Sequence, residues 1–174
     1  MAAMPAIPPN SSAVLPLSGT TDAQRPSLGG EVLYDEVVSH IFSDGTGSVP
    51  ANVQFRVVRS TATGLLDFYY RIIATHTFAS PLSFVVEVGF PGLVFTYADF
   101  RPDGLGTLHP TSFQIFPHDE PTEQVYKFVF NQGMTAGEST RFFFISSNAK
   151  QFTPVASEIS SATATNPCPG PTAL

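Results

Sequence analysis

The sequence predicts an all-β protein: an antiparallel β-sandwich of jelly-roll or immunoglobulin-like type, with about eight strands and extended N- and C-terminal arms. Short stretches of alternating apolar and polar residues, rich in Phe and β-branched side chains, recur about every ten residues. Turn residues separate them, and no stretch has the spacing of an amphipathic helix. The chain has 16 Phe and no Trp. Each buried Phe contributes about 1.5–3 kcal/mol, so these residues can supply a core without disulfides.

Eight segments carry the strand pattern. In the first, 31–42, apolar residues occupy both faces, which indicates a bulge or burial on both sides. In the second, 52–60, Val53, Phe55 and Val57 are predicted to face inward. A following Thr-Gly pair predicts a hairpin to the third and longest strand, 65–78. The other predicted strands are 82–88, 93–97, 112–116, 123–131 and 139–147.

The chain divides by composition into three parts. Residues 1–29 form a Pro/Ser-rich N-terminal arm, residues 30–152 the sandwich, and residues 153–174 a tail rich in Ser, Thr, Ala and Pro. The single cysteine, Cys168, lies in this tail and cannot form an intrachain disulfide. It is either an incidental tail residue or a point of intermolecular crosslinking or attachment.

The N-terminal arm contains one apolar stretch, which includes Val14, Leu15 and Leu17. Consecutive apolar residues have little reason to lie in solvent. Two interpretations therefore stand side by side. The arm is a disordered leader, or it is an assembly arm that lies on a neighbouring subunit or adds a strand to it.

The composition excludes several classes of partner. Only 13% of residues are charged, compared with about 25% in an average soluble domain. The eight basic residues are scattered and the net charge is −6, so no nucleic-acid partner is expected. No apolar stretch approaches the roughly 20 residues of a membrane span. The apolar excess favours an interface with another chain, so we expect a homo-oligomer or polymer.

No catalytic pattern is found, and the protein is predicted not to be an enzyme. A Gly-x-Ser-x-Gly motif, a Ser-His-Asp arrangement and a cysteine beside a base are all lacking. No cofactor is predicted and no transition-metal site is expected. Asp44, Asp99 and Asp103 lie in or beside turns and are weak calcium candidates. Asp-Gly is common turn chemistry, which favours a structural role for these carboxylates.

Five segments carry a resemblance to known proteins. They are Leu17-Ser18-Gly19-Thr20-Thr21, Arg56-Val57-Val58-Arg59-Ser60, Gly64-Leu65-Leu66-Asp67-Phe68-Tyr69-Tyr70-Arg71-Ile72, Arg101-Pro102-Asp103-Gly104-Leu105-Gly106 and Phe142-Phe143-Phe144-Ile145. With these segments, residues 17–152 resemble a group of secreted bacterial proteins, many of which carry the PEP-CTERM (exosortase) sorting signal. The resemblance implies a β-sandwich exported to the cell surface or matrix. It implies no activity.

Three hypotheses of function follow. The leading one is a non-enzymatic extracellular structural protein that self-assembles into a surface fibre or layer, with donation of its N-terminal strand as the candidate route. The second is a binding module for carbohydrate or another ligand, in which Tyr69, Tyr97 and Phe100 would form a platform for a sugar ring. Packing in the core or in an interface is the simpler role for these rings. The third is a viral capsid or decoration subunit. An extracellular or cell-surface location is expected from the low charge and the many Ser, Thr and Pro residues.

Overall fold

The computed structural model describes residues 12–43, 48–78, 81, 83–88, 95–117, 124–161 and 164–173. The regular secondary structure of this part of the chain is β-strand, apart from one turn of 3-10 helix at Pro26–Leu28. Its strands are β1 (Ala13–Pro16), β2 (Gly30–Ser43), β3 (Ser48–Ser60), β4 (Leu66–Ala74), β5 (Ser83–Val88), β6 (Phe95–Phe100), β7 (Ser112–Pro117), β8 (Gln124–Val129), β9 (Phe143–Ser147), β10 (Phe152–Ser161) and β11 (Ala164–Ala173).

Two antiparallel sheets form the body. One has five strands in the order β2-β3-β4-β9-β6, and the other has four in the order β1-β7-β8-β5. Strand β9 lies between β4 and β6, so the chain returns to the first sheet after completing the second. The predicted antiparallel β-sandwich is confirmed.

Phenylalanine fills the space between the sheets. Phe55 from β3 and Phe143 from β9 are fully buried on the first sheet, as are Phe113 from β7 and Phe128 from β8 on the second. The Phe128 and Phe143 ring centroids lie 4.7 Å apart, which joins the two sheets directly. Aromatic pairs at this separation stabilise a core beyond the area that they bury.

The pattern of β2, β3 and β4 agrees with the sequence. The inward positions of β3, Val53, Phe55 and Val57, have no exposed area, as the alternation predicts. The register of β2 against β3 shifts between Val32 and Tyr34. Of the two explanations given for the mixed faces of that strand, a bulge or burial on both sides, the register shift supports the bulge.

Three strands are shorter than the sequence suggests, and the one predicted over 123–131 ends at Val129. The third predicted strand stops at Ala74, and beyond an exposed turn only Phe78 forms a bridge, to Met134. The last predicted strand begins at Phe143. Before it, the Thr140 hydroxyl oxygen accepts a hydrogen bond from the backbone N–H of Ile72 at 2.9 Å, which interrupts the backbone ladder between the two strands. Alternation alone does not reveal a side chain that competes for a backbone partner.

The C-terminal segment differs from the predicted tail. Strands β10 and β11 pair with each other as a two-stranded antiparallel hairpin, for which no strand was predicted. β10 lies against β5, and β11 lies against β2 and β3. Pro, Ser and Ala are poor strand formers, so propensity gave no signal there. Cys168 lies in β11, in register with Ser157.

Candidate functional site

The outer face of the five-stranded sheet carries a second apolar cluster. Val58 on β3, Tyr69 on β4 and Phe144 on β9 point away from the main core, because they alternate with its residues along each strand. Leu28 and Phe142 complete the cluster, and all five side chains are buried. An outer sheet face is usually polar, so another element must cover this one.

That element is the segment 19–29, here called the strap. Leu28 is 2% exposed and packs over the second cluster. Its carbonyl accepts a hydrogen bond from the Tyr69 hydroxyl at 3.4 Å. The Arg25 guanidinium lies 4.1 Å above the centre of the Tyr97 ring, within cation–π distance. Much of the predicted N-terminal arm is therefore packed on the body of its own chain.

Asp99 fixes the start of the strap. Its Oδ1 accepts hydrogen bonds from the backbone N–H groups of Gly19 and Phe100, both at 2.9 Å. Its Oδ2 accepts from the hydroxyls of Thr20 at 2.7 Å and Tyr97 at 3.0 Å. Gly19 has φ +81, and a Cβ there would lie 2.8 Å from the Phe100 ring. We call Asp99 with these partners the clasp, and Asp99 as a residue is only 2% exposed.

The loop 101–107 lies beside the strap and is held by Arg101. Its Nε and Nη2 form a two-pronged pair with Asp103 at 2.9 and 3.0 Å, and its Nη1 lies 2.8 Å from Asp22 of the strap. Burial works to lower the pKa of Arg101, but the bonds to Asp103 and Tyr69 outweigh it and raise the pKa. The hydrogen bond from Arg101 lowers the pKa of Asp103. Arg101 is therefore a permanent cation that links loop, strap and sheet.

A cavity of about 290 Å³ opens between the strap and this loop. Its apolar lining comes from the second cluster and from the loop tip, and its polar lining comes from two arginines and one aspartate. The lining residues are Asp22, Leu28, Gly29, Gly30, Arg56, Val58, Tyr69, Arg101, Gly104, Leu105 and Phe142. At one side the Arg56 guanidinium lies 4.7 Å from the centre of the Phe142 ring.

Asp67 is a buried carboxylate on the same sheet face, in register with Ser146. Burial raises its pKa from 3.8 to about 6, although Ser146 and the charges of Arg25 and Arg101 work against the shift. Burial and the neighbouring Asp67 also raise the pKa of the Tyr69 hydroxyl. Asp67 therefore changes charge in a range where ordinary carboxylates are already ionised.

The calcium candidates are used for other purposes or lie outside the described residues. Asp99 is the acceptor of the clasp, Asp103 pairs with Arg101, and Asp44 falls in the segment 44–47, which the structure does not describe. Over the described ranges, no three His, Cys, Asp or Glu side chains form a group that could hold a metal ion.

The suggested aromatic platform is not formed. Phe100 faces the main core and stacks on His109 with centroids 4.4 Å apart, whereas Tyr69 and Tyr97 lie on the opposite sheet face. Tyr69 is buried, and Arg25 covers Tyr97. Strand alternation separates the three rings, since Phe100 has the opposite parity from Tyr97 on β6.

The apolar residues of the N-terminal arm lie on the other sheet. Val14 and Leu15 belong to β1, which pairs antiparallel with β7 of the same chain at the edge of the four-stranded sheet. Leu15 and Leu17 pack against the main core, while Val14 is 65% exposed. Strand donation to a neighbouring subunit thus stays a prediction, and the structure places the strand at an edge from which such donation can occur.

Sequence reasoning missed the cavity. Its polar residues, Asp22, Arg56 and Arg101, come from three segments far apart in the chain, and only folding brings them together. The one local signal of this site was the Arg-Pro-Asp-Gly sequence, because a turn there places the carboxylate of Asp103 within hydrogen-bonding distance of Arg101.

Comparisons with protein-family models, with curated proteins and with solved structures found no match for this chain. Among the residues that the structure describes, no helix has the length and apolar character of a membrane-crossing segment.

Proposed function

We propose that the protein is a non-enzymatic structural subunit that assembles with copies of itself at the cell surface by exchange of strand β1. The observation that carries the proposal is the position of β1. It has four residues, it lies at a sheet edge, and its partly buried Leu15 packs against the main core. A short edge strand that completes a core can come from the same chain or from another.

The energetics of exchange favour this reading. Leu15 and Leu17 each contribute about 1.5–3 kcal/mol when fully buried, and here they are partly buried. The same contacts form whichever copy supplies the strand, so exchange leaves the interface energy nearly unchanged. The protein concentration then decides whether β1 pairs within its own chain or with another copy. The clasp holds Gly19 and Thr20 on the body, so residues 12–18 form the part that can leave.

The surface beside β1 is also suited to contact with another copy. Val14 is 65% exposed and Phe116 on β7 is 38% exposed, both on the outer face of the four-stranded sheet. On the other sheet, three apolar side chains of the edge strand β2, Val32, Val37 and Ile41, are each 51% exposed. With only 13% charged residues in the chain, few charges oppose association.

A disulfide trap tests the exchange. Val14 and Gln114 are directly opposed on β1 and β7, so we expect a Val14→Cys/Gln114→Cys variant to form a disulfide when β1 is paired. Cys168→Ser removes the natural thiol. The variant is concentrated, oxidised and run on a non-reducing gel. Strand exchange gives interchain products that disappear on reduction.

A second pair provides the control. Ser39 and Asn52 are opposed within the β2–β3 hairpin, and their side chains are 3.1 Å apart, so Ser39→Cys/Asn52→Cys should give only an intrachain disulfide. If the Val14/Gln114 pair also gives only the monomer at high concentration, β1 stays in its own chain and the proposal is wrong.

A further inference from the structure

We propose that strand β2 is a second assembly site, at which two copies of the chain pair their β2 edges antiparallel about a two-fold axis at Ser39. Such a pairing joins the five-stranded sheets of the two copies into one continuous sheet. It uses the sheet that does not contain β1. The pairing is therefore independent of strand exchange, and each interface can form without the other.

Strand β2 is a long sheet edge with no paired neighbour on its outer side among the described strands. It has 14 residues, and the hairpin β10–β11 contacts it but forms a separate sheet. The other edges are protected in ways that natural sheets use. The start of the strap covers β6, since the Thr20 N–H donates to the Phe100 carbonyl at 2.9 Å. β5 has β10 against it, and β1 has only four residues and ends on Pro16.

The register shows which backbone groups of β2 point away from β3. The Thr140 N–H donates to the Ile72 carbonyl at 2.9 Å, so Ile72 on β4 directs its backbone groups away from β3. Val53, opposite Ile72, therefore bonds to Val38 on β2. Successive residues of a strand bond on opposite sides, so the odd-numbered residues of β2 beyond its bulge present N–H and C=O groups at the edge. They include Val37, Ser39 and Ile41.

The edge segment 37–43 lacks the residues that usually protect an edge. It contains no Asp, Glu, Lys, Arg, Pro or Gly, and all three carboxylates of β2 and its bulge lie before it. Val37 and Ile41 are each 51% exposed. They alternate with Val38, which packs against the main core, and so they lie on the outer sheet face. An uncharged segment of apolar and β-branched residues at an exposed edge is a template for pairing with another chain.

The segment is complementary to itself in the register centred on Ser39. With the two Ser39 residues opposite each other, Val37 of one copy faces Ile41 of the second copy, and the two-fold axis repeats the contact. The opposed residues are those that present backbone groups at the edge, so they form hydrogen-bonded pairs. Asp35 lies opposite Ser43 of the second copy, so no carboxylate within β2 faces another carboxylate.

The two assembly sites lie on opposite sides of the body. Strand β1 leads into the clasp, where the Gly19 N–H donates to Asp99 on β6, so β1 and β6 share one side. The hairpin β10–β11 lies against both β2 and β5, which share the other side. Copies that use both sites form a linear polymer, whereas β2 pairing alone gives a closed dimer.

A mixed disulfide trap tests this register. Val37→Cys and Ile41→Cys are made as two separate proteins, each with Cys168→Ser. In the proposed pairing, residue 37 of one copy lies opposite residue 41 of the other with Cα atoms about 5.5 Å apart, which suits a disulfide. The two copies of residue 37 lie about 13 Å apart along the strands, which is too far. We therefore expect oxidation to crosslink the mixture and neither protein alone.

The trap reports on β2 alone, because neither position lies on β1 or β7. If the mixture gives no more crosslinked dimer on a non-reducing gel than each protein by itself, the proposal is wrong. The Ser39→Cys/Asn52→Cys variant stays an intrachain control, since its two cysteines meet within one hairpin at a far higher effective concentration than across two copies.

Ile41→Lys tests the same contact without a crosslink. Both lysine variants described here carry Cys168→Ser and Val14→Cys/Gln114→Cys, oxidised at low protein concentration so that β1 is locked in its own chain. The two-fold axis places two lysines in the interface, so sedimentation equilibrium should show dimerisation weakened by about tenfold or more. Leu105→Lys is the matched control, because Leu105 is 63% exposed on the loop 101–107 and should leave dimerisation unchanged. Equal dimerisation of the two variants, or a locked parent protein that stays monomeric at all concentrations, overturns the proposal.

Discussion

Removal of the Asp99 carboxylate should destabilise the protein severely and release the strap. Asp99 is 2% exposed and accepts four hydrogen bonds, two from backbone N–H groups and two from hydroxyls. In Asp99→Ala the hydroxyls of Thr20 and Tyr97 still have each other at 2.7 Å. The N–H groups of Gly19 and Phe100 lose the carboxylate that they share.

The magnitude follows from these two orphaned donors. A buried donor left without a partner costs about 1–3 kcal/mol, and a hydrogen bond to a charged acceptor contributes about 1.5–3 kcal/mol. Two such losses give about 4 kcal/mol for Asp99→Ala. That is a large fraction of the 5–15 kcal/mol by which typical domains are stable. Thr20→Val removes one hydroxyl only and should cost about 1 kcal/mol, which keeps the series measurable if Asp99→Ala does not fold.

Urea unfolding followed by far-UV circular dichroism measures the effect, since the chain has no Trp for fluorescence. Asp103→Ala is the matched control, because its carboxylate is 38% exposed and such surface pairs contribute at most about 1 kcal/mol. Hydrogen exchange should also speed up in the strap of Asp99→Ala. If Asp99→Ala loses no more stability than Asp103→Ala, the clasp does not hold the strap and the reasoning is refuted.

Two further predictions concern single positions. Asp67 has a native pKa of about 6 against 3.8 in the unfolded chain, so its stabilising contribution is complete below about pH 4 and is lost as the pH rises to about 6. At about 1.4 kcal/mol per pKa unit, Asp67→Asn should be up to about 3 kcal/mol more stable than the wild type at pH 7.5. At pH 4 the two proteins should have similar stability. Urea unfolding at both pH values measures the difference. Gly106→Ala should lower the free energy of unfolding by at least about 2 kcal/mol, because Gly106 has φ +90 and a Cβ there would meet the Thr140 carbonyl. Gly64 has φ +71 but open space around it, so Gly64→Ala should lower the free energy of unfolding by only about 1 kcal/mol. Equal thermal shifts in the two glycine variants would contradict the steric explanation.

The regular strands could be predicted because their faces alternate. In β3 every second residue from Ala51 to Val57 is buried, and a pattern with period two is visible without knowledge of the partner strand. The same logic marked β2 as irregular, and the bulge between Val32 and Tyr34 explains its mixed faces. Strand β1 and the hairpin β10–β11 could not be predicted in this way, because they are Pro-rich or short and depend on the partners that they pair with.

The sequence alone determined an all-β sandwich with a phenylalanine core, because alternation and apolar content are properties of each local segment. Only the tertiary structure decided which residues meet on the outer sheet face. Asp22, Arg56 and Arg101 each pair with a neighbour, yet the cavity that they share exists only where strap, sheet and loop converge. Asp99, expected as a turn residue or a weak calcium ligand, becomes the anchor of the strap. Contacts between residues about 80 positions apart are set by how whole sheets pack, and a local pattern carries no record of them.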